Sequence, residues 1–419
     1  MKIEVVTIGD ELLLGFTIDT NGAHLARELA RYGISVARRT TVGDGAGDIA
    51  AAVREALDRT GAVITTGGLG PTSDDLTKQS IAALFGREML LDDAIVEALR
   101  RRWKSRGWPG ELPESNKQQA LIPAGATILE NHHGSAPGIW LDDGRGRWVA
   151  MLPGVPREMR GMLADTLLPR IRALATGEPT VVASLTIRTT GISESALSDR
   201  VRALEGLQFE ELSLAYLPGW EGVDLRLTAH GITEQDAMAR FARVGGALRV
   251  AAGDHVYGEG NDDLAASVLT ALREAGMTIA VAESCTGGML GARLTAVPGS
   301  SDVFIGGVIA YHNDVKLRPL GVRAATLAVH GAVSEETARE MASGARGLLG
   351  ASVGVGITGI AGPDGGTPDK PVGTVCIAAD VAGLVRSFRA SMVGDRHEVR
   401  VRSAQAALNL VRRMLADNA

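Results

Sequence analysis

The chain alternates short apolar runs with amphipathic stretches, and the pattern changes character twice. IEVVTIG (3–9) reads as a β-branched strand, and NGAHLARELARYG (21–33) carries apolar positions at helical spacing before Gly33. ISVARRTTVG then reads as a strand, DIAAAVREALDRT as a helix, and AVITTGG (62–68) as a buried strand running into glycines. WVAMLPGVPREM (148–159) adds a strand, a Pro-Gly loop and a helix start. This alternation predicts a parallel sheet with helices on both faces, closing at a linker near Gly177 and Pro179.

Residues 180–254 follow another rhythm. The strand VVASLTIRTTG precedes the helix SESALSDRVRAL, with Ser193 and Glu194 at its start. A hairpin around Pro218-Gly219 and a second helix, TEQDAMARFARVGGALRV, complete a β-α-β-β-α order. That order predicts helices on a small antiparallel sheet, with a role in spacing or subunit contact. The α/β pattern returns with the amphipathic helix NDDLAASVLTALREAGM (261–277). Strands at 302–311 and 352–359, a helix at SEETAREMASGARGLLG, the hairpin TVCIAAD/LVRSFRA and a closing helix follow. Three domains are therefore expected, over 1–177, 178–256 and 257–419.

Composition adds limits. Aromatics are 4% of 419 residues, so the cores must be built from Ala, Leu, Val and Ile. A net charge of −6 argues against direct nucleic-acid binding through a uniform basic field. Two cysteines, Cys285 and Cys376, make neither a disulfide framework nor a multi-cysteine metal site. Glu4, Asp10 and Glu11 interrupt the first apolar run, which reads as a strand and not a signal peptide, and no run reaches membrane-span length. A cytoplasmic protein is expected.

Two stretches carry candidate chemistry. In TTGGLGPTSDDLT (65–77), Gly67, Gly68 and Gly70 can take positive φ and bring backbone N–H groups to an anion. A helix starting near Ser73 or Asp74 would aim its N-terminus at a phosphate. Asp74 and Asp75 could hold a divalent cation there. Glycine turns and N-cap aspartates also occur without ligands, so both readings stand. Glu11, Asn116 and Lys117 could reach the same cleft.

The second stretch is AESCTGG, a strand running into a turn and a helix, with the logic of a nucleophile elbow but not its GxSxG pattern. Gly287 and Gly288 could turn N–H groups toward a developing oxyanion. A serine needs a base, and neither His312, His330 nor His397 sits in a setting that singles it out. Lys316 is the only lysine between Gln118 and Asp369 in a chain that prefers arginine, and lysine can lose its proton where arginine cannot. With Tyr311 it could form a Ser–Tyr–Lys set; alternatively Tyr311 caps the sheet and Lys316 is a solvated loop residue. Cys285 competes with Ser284 as nucleophile.

Taken together, these motifs resemble the competence/damage-inducible CinA family over essentially the whole chain. IGDELLLG, DTN (19–21), TTGGLGPTSDDLT, ESNKQQALIP, GSAPG (134–138) and LPGVPREM resemble its molybdopterin-binding, MoaB/MogA-like α/β domain. AESCTGG, YHNDVK, GAVSEETA, ITGIAGPDGGTPDKPVGTV and GDR (394–396) resemble its C-terminal α/β amidohydrolase domain, and the middle is similar to its KH-type α+β module. The resemblance implies a bifunctional hydrolase of pyridine-nucleotide recycling. The third domain would deamidate nicotinamide mononucleotide to nicotinic acid mononucleotide and ammonia, without a cofactor. The first would hydrolyse the pyrophosphate of ADP-ribose with Mg²⁺ or Co²⁺. It carries over Ser284 as nucleophile, Lys316 as base and Tyr311 as assistant. Substrate binding falls on Asn313, Thr358, Gly359 and Arg396, the last as a phosphate fork. A homodimer is expected. A nucleotide-binding scaffold acting in competence or damage response is the alternative.

Overall fold

The structure is a computed structural model describing residues 1–174, 180–204, 207, 209 and 211–417. The linker expected at Gly177 and Pro179 lies outside the described residues, as does the boundary at 177/178. The chain divides into two compact units, residues 1–183 with 229–238, and residues 184–228 with the described residues from 239 onward. No described helix is long and apolar enough to cross a membrane.

The first unit is built on a six-stranded sheet. In sheet order its strands are Ser35–Val42, Lys2–Ile8, Ala62–Thr66, Trp148–Leu152, Gly138–Asp142 and Thr127–Leu129. The first four run parallel, and the last two are added antiparallel. The all-parallel expectation is thus corrected at one edge. Alternation sorts the first strand between two cores. Ile3 and Val5 pack with Leu25, Leu29 and Trp148, and Val6 and Ile8 pack with Ile49, Val53 and Ile81. Glu4 is buried on this strand, where Arg59 pairs both its oxygens at 2.8 Å.

Residues 181–259 form a four-stranded sheet in the order Leu212–Pro218, Val223–Ile232, Val181–Thr189, Val256–Glu259. The β-α-β-β-α order holds, and Ser193 caps its helix by accepting from Ala196 N. The fourth strand, Val256–Glu259, was not anticipated. It pairs antiparallel with Val181–Thr189 and crosses the boundary expected at 256/257. Tyr257 on that strand packs into the same core as Leu264 and Leu269, so the module and the third domain are continuous there.

The third domain has a five-stranded sheet in the order Phe304–Ile309, Ile279–Glu283, Val353–Gly359, Thr374–Val381, Leu384–Ser391. Its first three strands are parallel, and the last two are antiparallel. Ile279 and Val281 face a core with Val399 and Leu408 of the closing helix Arg396–Asp417. Ala280 and Ala282 face Met341 and Ala345 of the helix Glu335–Leu349. That second face is made of small residues, which lets helix and sheet approach closely. A Cβ on Gly356 would lie 2.2 Å from the Ala338 carbonyl, and one on Gly354 2.0 Å from that of Ala342. Gly356→Ala is therefore expected to cost about 1–3 kcal/mol. Denaturant unfolding of the full chain checks this, and an unchanged midpoint would contradict the close approach.

Candidate active site

The strand register gathers the cleft. Glu283 pairs with Ile309 and with Ile357, so the C-terminal ends of three parallel strands stand side by side. Open sheets place ligands at such ends. Ser284, Tyr311 and Thr358 lie just beyond or at those ends and line a cleft of about 290 Å³. Cys285, Asn313, Lys316, Gly359, Asp364 and Arg396 line it too.

Ser284 N donates to Ile357 O at 2.9 Å, which continues the strand one residue past Glu283. Its Oγ accepts from Lys316 Nζ at 3.2 Å, and the same nitrogen donates to Ala310 O at 2.7 Å. Lys316 sits on the short helix Asn313–Leu317 and is 1% exposed. It is not a solvated loop residue. His312 caps that helix, its Nδ1 accepting from Asp314 N at 3.2 Å. Burial holds the Lys316 pKa below the ordinary lysine value of 10.5, with the Cys285 thiol acting in the opposite sense.

Cys285 borders the same cleft but is buried, 6% exposed. Burial raises its thiol to about 12, so very little of it is thiolate at neutral pH.

The glycines do something other than expected. Gly287 and Gly288 have φ of 59° and 93°, and neither lines the cleft. Gly287 N donates to Ser284 O, and Gly288 N donates to the Glu283 carboxylate. Glu283, 1% exposed, also accepts from Leu290 N and Gly291 N at 3.0 and 2.8 Å. Its carboxylate therefore takes up the amides at the start of the helix Met289–Thr295, and these donors are unavailable to an oxyanion. Arg400 holds the turn from the other side, donating to Thr286 O at 2.7 and 3.1 Å.

Tyr311 is also displaced from its expected role. It is 63% exposed, and its hydroxyl accepts from Arg396 Nη2 at 3.0 Å. Arg396 Nη1 donates to Gly362 O at 2.5 Å. The hydrogen-bonded pair is Ser284–Lys316, with Tyr311 and Arg396 coupled separately at the mouth. Thr358 Oγ1 donates to Ala332 O at 2.7 Å and so supports the cleft wall.

In the first domain, Gly67 and Gly68 take φ of 111° and 65° because the loop crosses close to other atoms. A Cβ on Gly67 would lie 2.2 Å from Ile8 O, and one on Gly68 2.1 Å from Thr77 Oγ1. Asp75 turns into the loop, accepting from Gly70 N and Thr72 N at 2.7 and 2.8 Å and also from the Thr72 hydroxyl. That turn delays the helix, which runs Thr77–Leu84 and not from Ser73 or Asp74. Asp74 is exposed, and its carboxyl pKa is lowered chiefly by the Thr72 hydroxyl. Burial raises the Asp44 carboxyl, and the charges of Asp10, Glu11 and Asp74 raise it further. Among the described residues, no three His, Cys, Asp or Glu side chains form a metal-holding group. Lys117 is engaged by Glu114 at 2.7 Å, and Asn116 is half-buried on the same short 3₁₀ segment, Glu114–Ala120. The buried cation here is Lys78, 1% exposed, which donates to Gln118 O at 2.5 Å. Burial lowers its pKa to about 8.

Residues 4–173 match the family described as a probable molybdopterin binding domain, 184–258 the damage-inducible protein CinA KH domain, and 261–415 the CinA C-terminal domain. A CinA-like protein of Gemmatimonas aurantiaca is 59% identical over 419 residues, 100% of this chain and 97% of that protein. The chain belongs to the CinA family. A putative competence-damage inducible protein of Moorella thermoacetica is 40% identical, covering 99% of each chain. A CinA superfamily crystal structure from Klebsiella pneumoniae is 38% identical over 37% of this chain and 96% of its own, with a TM-score of 0.36.

Within this CinA chain, Ser284, Tyr311, Lys316, Asn313, Thr358, Gly359 and Arg396 meet in one cleft. Sequence reasoning missed Glu283 and Asp364 here, and Lys78 in the first domain. Lys78 had a usable signal, since it is one of only six lysines in an arginine-rich chain. If Cys285 is as shielded as its burial implies, iodoacetamide at pH 7 should alkylate it at least about a hundredfold more slowly in the native protein than in the unfolded chain. Peptide mass analysis checks this; fast native labelling would contradict it.

Proposed function

We propose that the third domain hydrolyses the carboxamide of nicotinamide mononucleotide, with Ser284 as nucleophile and Lys316 as base. The observation that carries this reading is the buried contact between Lys316 Nζ and Ser284 Oγ. A neutral amine keeps two N–H bonds and one lone pair. One N–H stays on Ala310 O, and the lone pair takes the Ser284 proton as Oγ attacks the carbonyl carbon. The tetrahedral centre collapses, the C–N bond breaks, and ammonia leaves with the proton from Lys316. Water then attacks the acyl-serine, giving its proton to Lys316; the C–Oγ bond breaks, Lys316 returns the proton to Ser284 Oγ, and nicotinic acid mononucleotide is released. Arg396 supplies the positive charge for the phosphate at the mouth, and Tyr311 offers its ring face to the cationic pyridinium.

For the first domain the proposal is metal-assisted hydrolysis of the ADP-ribose pyrophosphate. The fit rests on Asp74, which shares an acidic neighbourhood with Asp10, Glu11 and Asp44. Mg²⁺ takes one or two carboxylates together with substrate phosphates and water, so a closed protein ligand set is not required. Asp75 shapes the loop in this reading, and the ion would polarise the pyrophosphate when bound.

Purified full-length protein incubated with nicotinamide mononucleotide should release ammonia. Ser284→Ala and Lys316→Arg should each lose at least about a thousandfold in kcat, while Cys285→Ala stays within severalfold. Tight binding without product would favour a nucleotide-binding scaffold. The folded Lys316 pKa lies below 10.5, so the neutral base appears at lower pH than for a free lysine. Accordingly, kcat/KM should rise with pH along a limb centred below 10.5; a limb at or above that value would contradict the assignment.

A further inference from the structure

We propose that the KH-type module braces the amidohydrolase cleft, through a loop that holds the start of the closing helix and so positions Arg396. The loop joins the strands Leu212–Pro218 and Val223–Ile232 and is closed by Gly219 N donating to Gly222 O at 2.8 Å. Trp220 at its tip meets the His397 ring edge-on, with centroids 5.3 Å apart and planes at 77°. His397 is the residue after Arg396, in the first turn of the closing helix.

The next residue of the loop anchors it. One Glu221 oxygen lies 3.0 Å from Arg293 Nη2, and the other accepts from Arg188 Nη2 at 2.9 Å. Arg293 belongs to the helix Met289–Thr295, which starts directly after the serine turn. It also donates to Gln405 on the closing helix at 2.6 Å and to Asp263 at 3.0 Å. Arg293 is 13% exposed, so these are shielded contacts. Glu221 O is itself held by the Thr190 hydroxyl at 2.8 Å.

The braced helix end reaches the cleft by two side chains one turn apart. Arg396 holds Tyr311 and Gly362 at the mouth, and Arg400 holds Thr286 behind the serine. Helix ends fray more readily than helix middles, and this one is held locally by the reciprocal Asp395–Glu398 cap. Here that turn carries the substrate-facing arginine, and the module's tryptophan packs against it. Trp220 is thus a positioning residue, acting on binding more than on the serine chemistry. The kinetic part of this inference rests on the proposed phosphate role of Arg396.

The test uses the full chain and two independent readouts. Amide hydrogen exchange without substrate should quicken by about fivefold or more across residues 394–400 in Trp220→Ala, while the helix Glu335–Leu349 keeps its wild-type rates. KM for nicotinamide mononucleotide should rise about five- to tenfold with kcat within about twofold, and Trp220→Phe should restore both. Unchanged exchange at 394–400, or an increase shared equally by Glu335–Leu349, would overturn the proposal. Should Trp220→Ala fail to fold, Glu221→Gln loosens the same loop and reads the same peptides. If wild-type protein releases no ammonia, the deamidase reading fails, while the exchange experiment still decides the brace.

Discussion

Everything at the cleft depends on burying the amine of Lys316 against the hydroxyl of Ser284. An ammonium group that is 1% exposed has lost most of its water, and the charged form is disfavoured. Among the described residues, it meets a single backbone carbonyl and the serine, with no carboxylate to stabilise the charge. With one N–H on that carbonyl, a neutral amine keeps its lone pair for the serine proton. The fold sets this up with ordinary parts. Three parallel strands end together, Ala310 extends the edge strand by one hydrogen bond to Glu283 O, and a one-turn helix capped by His312 returns the lysine beneath the serine.

The serine turn is held just as firmly. Glu283 lies under it and takes three amides, and Arg400 clamps its carbonyl from the closing helix. Rigid support of this kind keeps a reacting oxygen where the base can reach it. The first domain repeats the theme. Asp75 folds the glycine loop onto itself, and the buried Lys78 ties the start of its helix to the segment Glu114–Ala120. Among the described residues, the two largest fully buried side chains are both lysines, each donating to a backbone carbonyl beside a motif.

Much of this was legible along the chain. Alternating apolar runs gave the order of elements, and the rarity of lysine pointed to Lys316. What periodicity could not supply was direction. Tyr311 and Lys316 are five residues apart, yet one side chain lies on the exposed rim and the other is buried, because a helix begins between them. Gly287 and Gly288 looked like oxyanion donors because glycine permits the turn; their N–H groups belong to the turn itself. Asp74 and Asp75 looked equivalent, and only the loop's own hydrogen bonds separate them. The added edge strands Thr127–Leu129 and Val256–Glu259 were too short to assert a period of two.

The central claim is that burial holds Lys316 below an ordinary lysine, so that its neutral form serves as the base for Ser284. It is tested most directly by titrating the lysine side chains by NMR in the full-length protein. The chain has only six lysines, so Lys316 can be assigned by the signal lost in Lys316→Arg. The account predicts a Lys316 transition clearly below 10.5, at the pH where kcat/KM rises. A transition at or above 10.5 would contradict it.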